Sequence, residues 1–221
     1  MNRKKVIITI LVILFIVLMG FIVNVIAKMI IIKDINDKVS EYRNSKHYYL
    51  KKIAHFDNEE MVIEHYSKGD NAVTFNTEYT DDTNLERTII DYYKGNQNNR
   101  YVDSKANGKT AILNINKLSE KIQIRDLDYG NDFGTLLNLA LTTPITEVNY
   151  KEKECYFIDS DKFEHPYIDK ETGLTLRTSY YPIDKINERQ DAVSEYEYKF
   201  EDFDDSVFTE PDISEYIIEE Q

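Results

Sequence analysis

A short basic cluster followed by a long apolar segment constrains this chain more than any other feature. The basic residues 3–5 precede an apolar run from Val6 to Ala27, in which Thr9 and Asn24 are the only polar side chains. About 20 such residues in a helix cross the hydrocarbon core of a bilayer, and a basic flank stays in the cytoplasm. We therefore predict a cytoplasmic flank over 1–5, a single transmembrane anchor over 6–32, an extracellular domain over 33–217 and an acidic tail over 218–221.

A secretory signal peptide is the alternative interpretation of the first 27 residues. Val25 and Ala27 are acceptable at the positions that precede a cleavage site, so cleavage would follow Ala27. The apolar run is longer than the roughly 7–15 residues of a typical signal-peptide core. Apolar residues also resume after Lys28, over 29–32. Both features favour a retained anchor in the cell membrane.

Acidic side chains dominate the chain beyond the apolar segment. Residues 33–221 carry 23 Lys and Arg and 40 Asp and Glu. Such a surface repels nucleic acid and anionic lipid headgroups, so we expect no nucleic-acid partner. The single cysteine, Cys155, excludes an internal disulfide, so the domain must rely on its own hydrophobic core.

The exterior part predicts an α+β fold built on short strands. An apolar stripe predicts a helix over 34–46 that continues from, or closely follows, the membrane helix. Turn signals such as Asn107-Gly108 separate segments rich in Tyr, Ile, Val and Thr, which suit half-buried strands. The predicted strands are 47–55, 60–66, 71–79, 86–94, 99–104, 109–115, 145–150, 153–159, 166–169, 174–181 and 193–203.

Two amphipathic segments supply candidate walls for an apolar site. The first is a helix, capped by Asn131 or Asp132 and ended by Pro144, which packs on the sheet or forms a lid over a groove. Its apolar face carries Phe133, Leu136, Leu137, Ala140 and Leu141. The second is the last strand, whose apolar face carries Tyr196, Tyr198 and Phe200.

The residues that could carry chemistry do not form a recognisable catalytic or metal-binding pattern. Folding the first hairpin pairs His55 with a residue near Glu60 and His65 with one near Leu50, so these histidines do not converge on a metal. The acidic turn around Gly130 lacks the spacing of a calcium loop and suits a helix cap better. Cys155 lies in an apolar strand context, where thiols are inert. We therefore expect no metal, no cofactor and no enzymatic activity.

The C-terminal half resembles a known superfamily. The segment Tyr167-Ile168-Asp169-Lys170-Glu171-Thr172-Gly173-Leu174 with Arg177, the segment 153–158 and the segments 196–200 and 210–216 carry the likeness. Together they resemble the lipoprotein-carrier (LolA-like) superfamily, in particular its membrane-anchored members in Gram-positive bacteria. The resemblance covers about residues 35–217 and is most specific over 153–216.

The resemblance implies a curved, incomplete antiparallel β-barrel with helices against its concave face. Relatives use that hollow for lipoprotein acyl chains or for sensing envelope lipids. We therefore expect a non-catalytic binding protein for a lipid, a lipoprotein acyl chain or another apolar ligand, with the two apolar faces named above as walls. The alternative is a structural or regulatory ectodomain that docks a protein partner in the cell envelope. A further alternative, an envelope hydrolase, lacks a nucleophile–base pair.

Overall fold

One helix runs without interruption from the apolar N-terminal segment to the residue that precedes the first strand by four positions. The computed structural model describes residues 3–43, 45–56, 59–80, 84–95, 97–115, 130–159, 165–179 and 193–219. Helix α1 spans Arg3–Arg43, so the helix predicted over 34–46 is continuous with the apolar segment. By length and composition α1 can cross a membrane, a criterion that both anchors and signal sequences meet.

The remaining described elements form a sheet and one further helix. Helix α2 spans Phe133–Thr142, and two short 3-10 helices span Asp205–Phe208 and Ile213–Glu215. The strands are β1 His47–Phe56, β2 Glu59–Lys68, β3 Asn71–Thr80, β4 Asn84–Lys94, β5 Gln97–Ser104, β6 Gly108–Ile112, β7 Ile145–Tyr150, β8 Lys153–Ile158, β9 His165–Asp169, β10 Thr175–Ser179, β11 Val193–Lys199 and β12 Ile217–Ile218.

The strands form one open, mixed and mostly antiparallel sheet, which confirms the α+β class. Its order is β12-β6-β5-β4-β3-β2-β1-β11-β10-β9-β8-β7. The predicted first hairpin is confirmed, because Leu50 pairs with His65 and His55 pairs with Glu60. The C-terminal segment differs from the prediction, since β12 joins the sheet parallel to β6. A two-residue strand can add to an edge because β6 has a free side there.

Helices α1 and α2 pack together on one face of the sheet. Ile32 and Ile35 of α1 meet Leu136 and Leu139 of α2, and Ile158 and Ile168 of the sheet complete this core cluster. Asp132 caps α2, as predicted, by accepting a hydrogen bond from the backbone N–H of Thr135. Leu136 and Leu139 are therefore the side chains of α2 that belong to this cluster.

A second core lies on the opposite face of the other half of the sheet. Tyr66 and Val73 pack there with Tyr92 and the C-terminal residues Phe208 and Tyr216. Tyr48 packs against α1, and it pairs across the strands with Ser67 of β2. Ser67 directly follows Tyr66 along β2. Because neighbouring residues of a strand point to opposite faces, the C-terminal segment and α1 cover opposite faces.

We expect Leu139→Ala to lower the free energy of unfolding of the chain by about 2 kcal/mol. That is the low end for a buried leucine, because Leu139 lies near the end of a short helix. The same exchange at Leu141, which is half exposed on the same helix, should have little effect. Thermal unfolding of both variants in detergent micelles measures the difference. Equal losses at the two positions would contradict the packing of α2 against α1.

Candidate functional site

A cleft opens where β11 is no longer paired with β10. β10 pairs with β11 only from Arg177 opposite Glu195 to Ser179 opposite Val193. Beyond Glu195, β11 continues to Lys199 paired with β1 alone. The opening holds a cavity of about 400 Å³. Its lining comprises Tyr42, Tyr150, Lys151, Lys153, Asp169, Thr172, Leu174, Leu176, Tyr196, Glu197, Tyr198 and Phe200.

The walls of the cleft are aromatic and aliphatic. Tyr42, at the end of α1, lies against Phe200 with a ring-centroid distance of 4.6 Å. Tyr196 and Tyr198 stack nearly parallel at 6.4 Å. Leu174 and Tyr196 also belong to the core under α1, so these walls are held by the packing of the domain. Rings fixed in this way provide apolar surface that is already formed before a ligand arrives.

Paired charges line the rim of the cleft. Lys151 lies 2.7 Å from Glu195, and Tyr150 donates a hydrogen bond to the other oxygen of the same carboxylate at 2.6 Å. Burial, together with the Glu195 carboxylate, raises the pKa of Tyr150 to about 12. The phenol therefore stays neutral and cannot act as a base near neutral pH. These contacts join the polar groups of Tyr150 and Lys151 to one carboxylate at the rim.

A buried carboxylate organises the turn between β9 and β10. Asp169 accepts hydrogen bonds from Lys153 Nζ at 2.7 Å, from the backbone N–H of Glu171 at 3.0 Å and from Thr172 Oγ1 at 3.1 Å. Burial acts to raise the pKa of Asp169, but these donors outweigh it and hold the pKa below its ordinary value. The carboxylate therefore stays charged and fixes one edge of the cleft.

The same turn attaches α1 to the sheet. Lys38 Nζ donates a hydrogen bond to the backbone carbonyl of Lys170 at 2.6 Å. Gly173 has φ +74°, and a Cβ at this position would lie 2.8 Å from the carbonyl oxygen of Ile35. Only glycine permits both this backbone conformation and this close approach. The residues that carry the family resemblance thus hold the helix that supplies Tyr42 to the cleft.

Neither protein-family models nor curated proteins provide a relative of this chain. The resemblance to the LolA-like superfamily therefore stays a prediction.

The structure separates the eight residues predicted as walls of an apolar site. Tyr196, Tyr198 and Phe200 line the cleft together. Leu136 and Ala140 are buried in α2, where Leu136 packs against α1, and Leu137 is half-buried. Phe133 and Leu141 are exposed. The lining of the cleft contains none of the described residues of α2.

Three apolar walls of the cleft were missed as site residues. Tyr42 belongs to the apolar stripe of the helix predicted over 34–46, and Leu174 belongs to the segment that carries the resemblance. Leu176 lies on β10, two residues beyond Leu174. The apolar stripe and the predicted strand placed these residues in regular elements, but neither showed that segments so distant in sequence meet.

The titratable residues singled out from the sequence do not converge in the part of the chain that the structure describes. Among them, no group of three or more His, Cys, Asp or Glu side chains could hold a metal ion. His65 lies 2.8 Å from Thr74 Oγ1, and His55 lies 3.2 Å from Glu60. Cys155 is fully buried, and burial raises the pKa of its thiol, so it stays protonated. Asp126 and Asp128 of the acidic turn lie outside the described residues, while Asp132 serves as a helix cap.

Proposed function

We propose that this protein is a membrane-anchored, extracytoplasmic and non-catalytic binding protein for a lipid, a lipoprotein acyl chain or another apolar ligand. The cleft walled by Tyr42, Leu174, Leu176, Tyr198 and Phe200 is the observation that carries the proposal. A preformed apolar cavity with a few polar groups at its rim is the usual form of a small-molecule site. The proposal keeps the curved LolA-like half-barrel as the fold that would present this cleft.

The size and chemistry of the cleft suit part of an acyl chain. Its volume of about 400 Å³ lies within the range of small-ligand pockets. Each methylene removed from water contributes about 0.8 kcal/mol, so a chain gains affinity without a specific polar contact. Lys151 and Lys153 are already paired with Glu195 and Asp169, so the rim offers little attraction for an anionic headgroup.

Continuity of α1 supports a retained anchor over a cleaved signal peptide. The helix passes through Ala27 without a break, and Val25 is only 7% exposed although its neighbours Val23 and Ile26 are at least half exposed. Cleavage after Ala27 would remove a residue that is buried against the rest of the chain. The basic flank then sets the N-terminus in the cytoplasm and the domain outside.

The position of Tyr42 on α1 sets the height of the cleft above the membrane. Tyr42 lies 14 residues beyond Lys28, the first charged residue after the apolar run. At 1.5 Å per residue the cleft stands about 21 Å from the membrane end of the domain. A lipid that remained in the bilayer would not reach it. The ligand would therefore be drawn out completely, or arrive on a carrier or a protein.

The protein-docking alternative has one observation in its favour. The space that α2 could otherwise have enclosed is filled by Ile32 and Ile35 of α1 together with Leu136 and Leu139. An apolar side chain of a partner protein could occupy the remaining cleft as an acyl chain would. The bound species decides between the two functions.

Native mass spectrometry of the full-length chain, with lipid extraction from its own host, tests the proposal. The whole chain is required because Met29 and Ile32 belong to the core of the domain. We expect one acyl species to copurify at close to one per chain. Leu176→Asn, which adds a polar group to the wall of the cleft, should lower that occupancy by at least about tenfold, since 1.4 kcal/mol of lost apolar contact has that effect.

The matched control is the same exchange at Leu85, a half-exposed leucine on β4. Leu85→Asn should leave occupancy unchanged, and both variants should retain the thermal midpoint of the parent within a few degrees. An empty parent chain, with proteins rather than lipids retained after cross-linking in the host membrane, would favour the docking function instead.

A further inference from the structure

The exterior domain has no linker between itself and the apolar segment. Helix α1 is continuous over Arg3–Arg43, and its buried side begins at Val25, inside the apolar run. The 22 residues from Val6 to Ala27 span about 33 Å as a helix, slightly more than the roughly 30 Å of a hydrocarbon core. Val25 therefore lies within the last turn of the membrane segment, and whatever covers it lies at the membrane surface.

The C-terminal end of α2 lies at this level. Lys28 Nζ donates a hydrogen bond to the carbonyl of Thr143 at 3.0 Å, while Asn36 Nδ2 donates to the carbonyl of Gly130 at 3.1 Å. Helix α2 thus runs antiparallel to α1, with Thr143 at its membrane end. Because side chains of a helix lean toward its N-terminus, the amine of Lys28 reaches back toward the turn that contains Val25.

An exposed apolar side chain stands at that end of α2. Leu141 is 51% exposed and precedes Thr143 by two residues. Phe133 and Leu137 continue the same flank of the helix at intervals of four residues, and Phe133 is 71% exposed. Phe133 lies eight residues from Leu141, about 12 Å farther along α2. The described part of the chain therefore presents apolar surface next to the bilayer, where water would otherwise meet it.

We propose that the membrane end of α2 rests on the outer leaflet and that Leu141 inserts between its lipids, so that the domain is docked directly on the bilayer. This inference rests on the proposed membrane anchor. The contact is apolar, because residues 33–221 carry a net negative charge that anionic headgroups repel. Interfacial helices bury their apolar side in the boundary between headgroups and acyl chains, and the uncharged α2 would enter that boundary only through its membrane end. Docking would hold the cleft in a fixed orientation relative to the membrane.

Site-specific fluorescence in lipid nanodiscs tests the inference. Leu141→Cys and Leu85→Cys, two half-exposed leucines with nearly equal exposure, are each labelled with an environment-sensitive fluorophore in the full-length chain. The native Cys155 can stay, because it is fully buried. One chain is placed in each disc of phosphatidylcholine that carries a quencher near the headgroups. The label at 141 should shift to the blue and lose most of its fluorescence, whereas the label at 85 should change little.

A third label separates the two proposals. Val17→Cys places the fluorophore in the middle of the apolar run. Quenching of this label by a quencher deep in the lipid, without quenching at 141, would overturn docking and leave the anchor intact. Absence of quenching at 17 would overturn the anchor itself. Addition of an anionic lipid should not strengthen quenching at 141, and an increase would overturn the apolar nature of the contact.

Discussion

Gly173→Val should lower the free energy of unfolding of the chain by about 4 kcal/mol. About 2 kcal/mol comes from forcing a β-branched residue into a left-handed conformation at φ +74°. A similar amount comes from overpacking, because the new Cβ would lie 2.8 Å from the backbone oxygen of Ile35 and 3.1 Å from the backbone nitrogen of Val39. Neither atom can move without displacing α1, so the thermal midpoint should fall by roughly 10 °C.

Gly69→Val is the matched control. Gly69 has φ +64°, but an added Cβ would meet no atom within 4 Å. This variant therefore keeps the conformational strain and lacks the collision, so its loss of stability should be about half as large. Chemical unfolding of both variants in detergent micelles measures the difference. Equal losses would mean that the turn between β9 and β10 does not hold α1 closely. Loss of the proposed ligand from Gly173→Val alone would follow from displacement of Tyr42.

The sequence identified this turn but not its partner. Asp169 to Gly173 has the composition of a tight reversal between strands, and the turn lies where it was predicted. Its contact with α1 joins residues more than 130 positions apart, as the bond from Lys38 to Lys170 does. The residues of a turn do not indicate which helix will lie against it. The requirement for glycine in this turn therefore became clear only from the packing of α1 against it.

The same limit explains why only some of the residues predicted as apolar walls line the cleft. A helical stripe shows which side of α2 is apolar, and five residues from Phe133 to Leu141 share that side. The contact with α1 takes Leu136 from that side together with Leu139, which the predicted stripe did not include, and it leaves Phe133 exposed. Strand pairing, by contrast, follows from alternation and turn position, and for this reason the register of the first hairpin was predicted correctly.

The cleft depends on one feature that the sequence predicts and on another that it does not. The aromatic face of β11 was predicted from alternation, and Tyr196, Tyr198 and Phe200 do line the cavity. The cavity itself depends on β10 ending its pairing with β11 at Arg177. A register shift between Thr175 and Arg177 accompanies that end, and irregularities of this kind have no reliable signal in a single sequence.

Asp169→Asn should lower the free energy of unfolding at neutral pH by about 3 kcal/mol. The carboxylate is 3% exposed and accepts three hydrogen bonds, and the amide that replaces it cannot offer a charge to Lys153. The expected loss is at the low end for a broken buried ion pair, because the Lys153 side chain is half exposed and regains water. Chemical unfolding of the parent and the variant over a range of pH measures the effect.

The difference between the two proteins should disappear in acid. The pKa of Asp169 in the folded chain lies below its ordinary value of 3.8, so its charge stabilises the fold fully at pH above that value. This stabilisation is lost as the pH falls through the folded pKa, whereas the asparagine variant has no such group to titrate. Asp212→Asn is the control, because hydrogen bonding to Ser214 also lowers the pKa of Asp212 but its carboxylate is exposed and screened by water. A difference that stayed constant from neutral pH into strong acid would mean that the shape of Asp169, and not its charge, holds the edge of the cleft.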